Sequence, residues 1–223
     1  MKATWALLPI RSLEGAKSRL AALLDADERA TLARCLAQGV IDAARAARGI
    51  DAVAVVTGDT AARALAESAA CRWLPDDPAL GLSGNVDAAM ALLAAEGART
   101  VVVVPADLPL LAPADIEALL AGHGPGVTVV PAATDGGTNA LAMTPPGAAP
   151  CRFGRDSASR HLQAALERGV AARQVAVPGF ARDLDTEDDV RWLCAQPGGG
   201  TARQYLEQAG ICARLRAGGR RQR

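Results

Sequence analysis

Apolar runs of strand length alternate with stretches of helical periodicity along most of the chain. The strand-type runs are continuously apolar and rich in valine, and the clearest is TVVVV at Thr100–Val104. Such runs are typical of strands that are buried on both faces, as in a parallel sheet covered by helices. The pattern predicts strands at Trp5–Ile10, Ala52–Thr57, Thr100–Val104, Val127–Pro131, Ala140–Met143 and Arg173–Val177.

Between these strands, apolar residues recur at the spacing of amphipathic helices, as Leu32, Leu36 and Val40 do. A helical pattern also begins near Ala16. The other predicted helices are Ala26–Ala47, Thr60–Ala70, Ser83–Ala95, Pro113–Ala121, Ser157–Arg168 and Thr186–Cys194. This order predicts an α/β fold with a mainly parallel central sheet, helices on both faces and a small antiparallel extension near the end.

Length and charge suit one α/β domain, which we place at residues 1–212. Lys and Arg balance Asp and Glu at 24 each, so no net charge draws the chain to nucleic acid or to an anionic membrane. The tail, residues 213–223, carries five arginines. We predict that it is disordered, and an arm for RNA or an acidic partner is the alternative.

The five cysteines lie far apart, none forms a CxxC pair, and only two histidines accompany them. This composition argues against a zinc site. An odd cysteine count without an export signal indicates reduced thiols and a cytoplasmic location. The longest apolar runs have strand length, so no membrane span is expected.

A polar loop follows the first strand and carries Arg11, Lys17 and Arg19, with Gly15 between them. Cations beside exposed backbone N–H groups form a site for phosphates. The loop has neither the GxxxxGK[ST] nor the GxGxxG pattern. It therefore predicts a nucleotide bound by another α/β scheme, in which these three cations contact the phosphates.

Polar residues also follow the other early strands, where open α/β sheets bind ligands. Thr57 and Asp59 follow the second strand, and Asn85 lies in the first turn of a later helix. We expect these three residues to contact the nucleotide. Asp59 is also a candidate helix cap.

Two acidic positions are candidate ligands for Mg²⁺, which prefers oxygen donors. Asp107 directly follows the TVVVV strand, and a helix-capping role is its alternative. In the segment DLDT, alternation puts Asp183 and Asp185 on the same face, with Asp185 the stronger candidate. Thr186 and Asp189 of this segment also form a capping box, which is compatible with metal binding by Asp185.

Two further segments, DGGTN and FGRDSASRH, offer neutral donors to an anion. Thr138 and Asn139 follow a glycine pair that lets the backbone approach a ligand, and a simple β-turn is the alternative. Ser157 opens a helix whose N-terminus favours anions, and ordinary capping is the alternative. We interpret His161 as a packed or surface histidine.

Taken together, LLPIRSLEGAKSRLA, VVTGD, VVVVPADLPLL, GGTNAL, FGRDSASRH and DLDTEDD resemble, in order and spacing, the phospholactate guanylyltransferase family of coenzyme F-420 biosynthesis. The resemblance spans residues 3–195. It implies a Rossmann-like nucleotidyltransferase fold, GTP as donor and Mg²⁺ as cofactor. The implied acceptor is 2-phospho-L-lactate, phosphoenolpyruvate or 3-phospho-D-glycerate.

The resemblance also assigns roles to residues. The acceptor's phosphate and carboxylate would be bound at Thr138, Gly154 and Ser157, and the metal at Asp107 and Asp185. Two departures concern binding: DGGTN stands where the family often has GTGTN, and GLSGNVDAA is longer than the usual GLNxA, which obscures the base-recognition residues.

We therefore predict a guanylyltransferase with Lys17, Asp107 and Asp185 as catalytic residues. Its partners would be GTP and the phospho-acid, with the next enzyme of the coenzyme pathway as a further candidate, and it would be a monomer or homodimer. The alternatives are another Mg²⁺-dependent nucleotidyltransferase, such as a molybdopterin guanylyltransferase, and a non-catalytic nucleotide-binding module.

Overall fold

The computed structural model describes residues 3–218 as seven strands and eight α-helices. The strands are β1 (Ala3–Pro9), β2 (Ala52–Val56), β3 (Arg72–Leu74), β4 (Ala98–Val103), β5 (Gly126–Pro131), β6 (Thr138–Thr144) and β7 (Ala172–Gln174). The helices are α1 (Ala26–Ala46), α2 (Thr60–Ser68), α3 (Gly81–Ala95), α4 (Pro113–Gly122), α5 (Ser157–Glu167), α6 (Glu187–Ala195), α7 (Gly200–Gln208) and α8 (Ile211–Gly218).

The strands form one sheet in the order β3-β2-β1-β4-β6-β5-β7. Every neighbouring pair is parallel except the two that involve β6, which runs antiparallel to β4 and to β5. The predicted α/β fold, with a mainly parallel sheet and a small antiparallel part, is confirmed. Within the described residues, no helix has both the length and the apolar character needed to cross a membrane.

The strands are continuously apolar because helices cover both faces of the sheet. Ala6 and Leu8 of β1 belong to a buried cluster with α1, α2 and α4, whereas Leu7 belongs to a second cluster with α3 and α5. A third cluster joins the outer side of α1, at Leu32 and Leu36, to α6, α7 and α8. This last cluster holds the segment before α6 close to the carboxyl end of the sheet.

The structure corrects three sequence expectations. Helices α7 and α8 and the short strand β3 lie where no element was predicted. The predicted disordered tail is helical through Gly218, since Leu215 packs in the third cluster, and residues 219–223 lie outside the described part. The helical pattern near Ala16 yields only a single 3₁₀ turn at Ser18–Leu20, because Lys17 adopts the left-handed conformation with φ 55°.

The expectation of reduced thiols is wrong for two of the cysteines. Cys194 in α6 and Cys212 in α8 form a disulfide, with their Cα atoms 5.6 Å apart. The pair was not apparent from the sequence because 18 residues separate it and the helix α7 that brings it together was not predicted. Cys35, Cys71 and Cys151 are free thiols.

The packing of α7 is testable at Leu206, whose side chain is fully buried. Leu206→Ala should lower the free energy of unfolding by about 2–5 kcal/mol, because it removes buried methyl groups and leaves a cavity. Leu166→Ala is the matched control, since Leu166 is 63% exposed, and it should change stability by less than about 0.5 kcal/mol. Urea denaturation of both variants measures this. Equal losses would contradict the packing of α7.

Candidate active site

A cavity of about 930 Å³ lies at the carboxyl ends of β1 and β4. Its lining comes from loops that meet at this edge of the sheet although they are distant in sequence. The segments are residues 9–19 from the end of β1, 103–107 from the end of β4, 132–139 up to the start of β6, 153–157 up to the start of α5 and 183–185 before α6. Helix α1 adds Ala33, Leu36 and Ala37 to the lining. The structure brings most, but not all, of the candidate site residues together in the lining of this cavity.

Lys17 lies at the centre of the acidic end of the cavity. Its Nζ donates hydrogen bonds to Asp107 Oδ2 at 2.7 Å and to Asp185 Oδ1 at 2.8 Å. Only 8% of the side chain is exposed. The left-handed backbone of this non-glycine residue costs about 1–2 kcal/mol, and the two ion pairs hold it in place. The three predicted catalytic residues therefore lie in direct contact.

Asp183 completes a cluster of carboxylates with Asp107 and Asp185, whose nearest oxygens lie within 4.8 Å of one another. Burial raises the pKa of Asp183 to about 6, and the charges of its two neighbours add to this shift. Burial alone would lower the pKa of Lys17, but attraction to Asp107 and Asp185 outweighs it and the pKa is raised. One ammonium thus faces three carboxylates, and this all-oxygen set suits a hard divalent cation.

The backbone at Asp185 is held by the buried carboxylate of Asp189. Asp189 Oδ2 accepts from Asp185 N at 3.1 Å and from Thr186 N at 2.7 Å, while Oδ1 accepts from Arg182 Nε at 2.7 Å. The predicted capping box of Thr186 and Asp189 opens α6 as expected. The cap therefore positions Asp185 while leaving its side chain to the cavity.

The remaining cations of the first loop also border the cavity. Arg11 is exposed at its edge. Arg19 lies 3.7 Å from Asp185, measured from Nη1 to Oδ2, with 74% of its side chain exposed. Both can reach a ligand that enters from solvent.

The other end of the cavity carries neutral donors, and the segments that supply them also bring Asp135 and Arg155 into the lining. Thr138, Gly154 and Ser157 all line it, and Thr138 Oγ1 lies 2.9 Å from Ser157 Oγ. Asn139 lines it too, but its Nδ2 donates to Phe180 O at 2.8 Å and so holds the segment that leads to Asp183. The predicted acceptor-binding residues are therefore brought together, with Asn139 in a supporting position.

Three predicted nucleotide contacts do not line the cavity and serve local structure instead. Asp59 caps α2 through Ala62 N and accepts from Ser12 Oγ at 2.9 Å, which fixes the first loop. Thr57 Oγ1 accepts from Asp59 N. Asn85 bonds both backbone groups of Asp77. Short polar side chains at the start of helices commonly cap local backbone, and that use prevails here.

Sequence reasoning gave too little weight to two residues. Asp183 was the weaker candidate, although alternation with Asp185 already placed it on the same face. His161, for which the sequence predicts a packed or surface position, is packed and buried, and its ring also bonds Thr138 Oγ1 and the backbone of Arg152. Leu82 and Phe153, which carry no polar signal, also line the cavity.

Comparison with known proteins decides the family. Residues 4–223 match the family described as guanylyl transferase CofC like. The chain belongs to the CofC-like guanylyl transferase family. The phosphoenolpyruvate guanylyltransferase of Rubrobacter xylanophilus is 41% identical to it over 196 residues, covering 87% of this chain and 95% of the relative. The 2-phospho-L-lactate guanylyltransferase of Methanothermobacter thermautotrophicus is 31% identical over 205 residues, covering 92% and 90%.

A solved structure shares the fold of this CofC-like chain. It is of a protein described as a nucleotide-diphospho-sugar transferase from Desulfovibrio desulfuricans, with a TM-score of 0.79 at 18% identity, covering 96% of this chain and 98% of that one. The predicted Rossmann-like nucleotidyltransferase fold is confirmed. The CofC-like chain is a nucleotidyltransferase, and its carboxylate cluster is compatible with the divalent metal that such enzymes generally use.

In this CofC-like chain, the ammonium of Lys17 and a divalent cation would share the same carboxylate oxygens. Lys17→Met should lower the melting temperature without metal, because the three carboxylates then repel one another. Added Mg²⁺ or Mn²⁺ should raise the melting temperature of this variant more than that of the wild type.

Thermal unfolding across a metal titration measures this, without any turnover. Arg19→Met is the control, since its exposed guanidinium contributes little to the buried pair, and it should respond to metal like the wild type. Identical metal responses of Lys17→Met and the wild type would contradict a shared site.

Buried His161 should make stability depend on pH. Burial lowers its pKa to about 4, with help from Arg160 and Arg152, so the folded ring stays neutral while the unfolded ring takes up a proton near its usual pKa of 6.5. The free energy of unfolding should therefore fall by about 3 kcal/mol as pH drops from 6.5 to 4. The free energy of unfolding of His161→Leu should lack this pH dependence. In urea melts, the difference in unfolding free energy between the wild type and this variant should therefore shrink at low pH. A deficit that is constant with pH would contradict this.

Proposed function

We propose that this chain transfers the GMP moiety of GTP to a small phosphorylated three-carbon acid, with release of pyrophosphate, as a step of coenzyme F-420 biosynthesis. The observation that carries the proposal is the division of one cavity. Lys17 and the carboxylates of Asp107, Asp183 and Asp185 form one end, and the hydroxyls of Thr138 and Ser157 form the other.

The proposed reaction needs positioning rather than a strong base. An oxygen of the acceptor's phosphate bonds to the α-phosphorus of GTP, and the bond from that phosphorus to the bridging oxygen of pyrophosphate breaks. The attacking oxygen is already anionic at neutral pH, so no proton has to be removed. The task of the protein is to orient two anions and offset their charge.

The cations of the first loop suit the triphosphate. Lys17 is the central one, and Arg11 and Arg19 lie at the solvent edge, where the leaving pyrophosphate would depart. Asp107 and Asp185 would hold the divalent ion through the oxygens that now accept from Lys17, and the ammonium of Lys17 would then be free to pair with phosphate oxygens.

Asp107 and Asp185 are the residues that we propose to hold Mg²⁺, with Asp183 close enough to join them. When bound, the ion would neutralise phosphate charge and polarise the phosphoryl group under attack. Asp107 lies between Pro105 and Pro109, and the backbone at Asp185 is held by the cap of α6. Both backbone segments are therefore restrained, which keeps the two carboxylates in place.

The neutral end suits an acceptor that carries both a phosphate and a carboxylate. Relatives named for phosphoenolpyruvate and for 2-phospho-L-lactate act on acids of this kind. We extend the same class of acceptor, including 3-phospho-D-glycerate, to Thr138, Gly154 and Ser157 of this chain. The cytoplasmic location, the oligomeric state and contact with the next enzyme of the pathway stay predictions.

Pyrophosphate release tests the proposal. Purified protein with Mg²⁺ and GTP is given phosphoenolpyruvate, 2-phospho-L-lactate or 3-phospho-D-glycerate, with ATP and CTP as alternative donors. We expect release with GTP and at least one of the three acids, and much slower release with ATP or CTP. Release with none of the acids, or equal release with all three nucleotides, would overturn the proposal.

Lys17 should be essential for the rate. Lys17→Ala should lower kcat by about 10²–10³-fold at saturating GTP, as loss of one preorganised charged group does in other active sites. Arg19→Ala, a cation of the same loop that lies exposed, should cost less than about tenfold. Steady-state kinetics measure both, and near-normal turnover of Lys17→Ala would refute its catalytic role.

A further inference from the structure

A chain of three buried polar side chains crosses the neutral end of the cavity. Thr138 Oγ1 lies 2.9 Å from Ser157 Oγ and 3.1 Å from His161 Nδ1. His161 is 1% exposed, and Thr138 and Ser157 are also buried, although both touch the cavity. The first two are residues at which the acceptor is proposed to bind, whereas His161 lies behind them.

The backbone determines which nitrogen of His161 carries the proton. Arg152 N donates to His161 Nε2 at 2.8 Å, so Nε2 accepts and bears no hydrogen. A neutral imidazole has one N–H, which must then be at Nδ1. Nδ1–H therefore donates to Thr138 Oγ1.

This tautomer leaves one hydroxyl proton for a ligand. Between Thr138 and Ser157, one hydroxyl donates to the other, and the second proton has no acceptor within this chain of three side chains. If Nδ1 were an acceptor instead, it would take the proton of Thr138, and Ser157 would then be the only donor to Thr138 Oγ1. Both hydroxyl protons would then be used within the chain, and none would be left for an anion.

We propose that His161 is a positioning residue that directs a hydroxyl proton of the Thr138–Ser157 pair to an anionic oxygen of the acceptor substrate. The inference rests on the proposed function, because it names the ligand of that same cavity end. His161 acts through Thr138 and does not touch the substrate itself. A neutral donor of this kind binds the phosphate or carboxylate without adding a charge that would compete with the metal end.

His123 offers a matched comparison within the same chain. It also bonds threonine hydroxyls, with Nδ1 2.8 Å from Thr128 Oγ1 and Nε2 2.9 Å from Thr144 Oγ1. These threonines lie at the far end of β5 and β6, and none of the three residues lines the cavity. Replacing His123 therefore shows what loss of a histidine–threonine contact away from the cavity does to the kinetics.

The kinetic test compares His161→Leu, His161→Asn, Thr138→Val and His123→Leu. Leucine keeps apolar packing against Phe153, whose ring centroid lies 4.8 Å from that of His161, but it has no N–H. Asparagine places an amide N–H near the position of Nδ1. KM and kcat are measured separately for GTP and for the acceptor that the wild type uses.

We expect His161→Leu to raise the acceptor KM by about tenfold or more, as loss of one hydrogen bond to a charged group does, with the GTP KM within about twofold. His161→Asn should recover most of that loss, and His123→Leu should show none. Adding His161→Leu to Thr138→Val should cost little more, because His161 acts through Thr138. Additive losses, equal rises in both KM values, or an asparagine variant as weak as the leucine variant would overturn the inference.

A spectroscopic measurement decides the tautomer without turnover. The chain has only two histidines, so His123→Leu in untagged, ¹⁵N-histidine-labelled protein leaves His161 as the only ring signal. We expect NMR nitrogen shifts of a neutral ring protonated at Nδ1, and a ring protonated at Nε2 would overturn the inference even in an active enzyme. Failure of the wild type with every acceptor would instead overturn the proposed function, so the two failures are distinguishable.

Discussion

The contact of the Lys17 ammonium with Asp107 and Asp185 is the constraint on which the geometry of the site depends. It joins the loop after β1 to segments 90 and 168 residues further along the chain. It also offsets the repulsion within a carboxylate cluster that includes Asp183. A charge arrangement this concentrated is stable only with a cation, which in this structure is the ammonium and during catalysis would be shared with a metal ion.

The other end of the cavity differs from the acidic end because its donors are neutral hydroxyls. The hydroxyls of Thr138 and Ser157 are the neutral donors there, and behind them the imidazole of His161 is neutral because burial lowers its pKa. Two anions, the triphosphate of GTP and the acceptor, must meet during guanylyl transfer. With cations at one end and neutral donors at the other, the site can bind the triphosphate and the acceptor at separate places. Asn139, from β6, holds the segment that leads to Asp183 by donating to Phe180 O, and Asp189 accepts from the backbone N–H of Asp185.

The features that depend on residues close together in the sequence were predictable. Continuous apolar runs predicted the strands, and polar residues directly after them led to Lys17 and Asp107. Helix α7 escaped prediction because only two of its residues, Ala202 and Leu206, are buried, too few for a clear helical pattern. Its packing against α6 and α8 brings Cys194 and Cys212 together. Asp59 was misassigned because a carboxylate at a strand end looks the same whether it binds a ligand or caps a helix. The tautomer of His161 depends on a backbone N–H that no sequence pattern marks.

We expect the Lys17 ammonium and a divalent cation to use the same carboxylates. A crystal structure with Mn²⁺ and a non-hydrolysable GTP analogue tests it most directly, because anomalous scattering locates the ion. We expect Mn²⁺ on the oxygens of Asp107 and Asp185, with Lys17 Nζ bonded to a phosphate oxygen. A bound nucleotide with Lys17 still bonded to both carboxylates, and Mn²⁺ elsewhere, would contradict it.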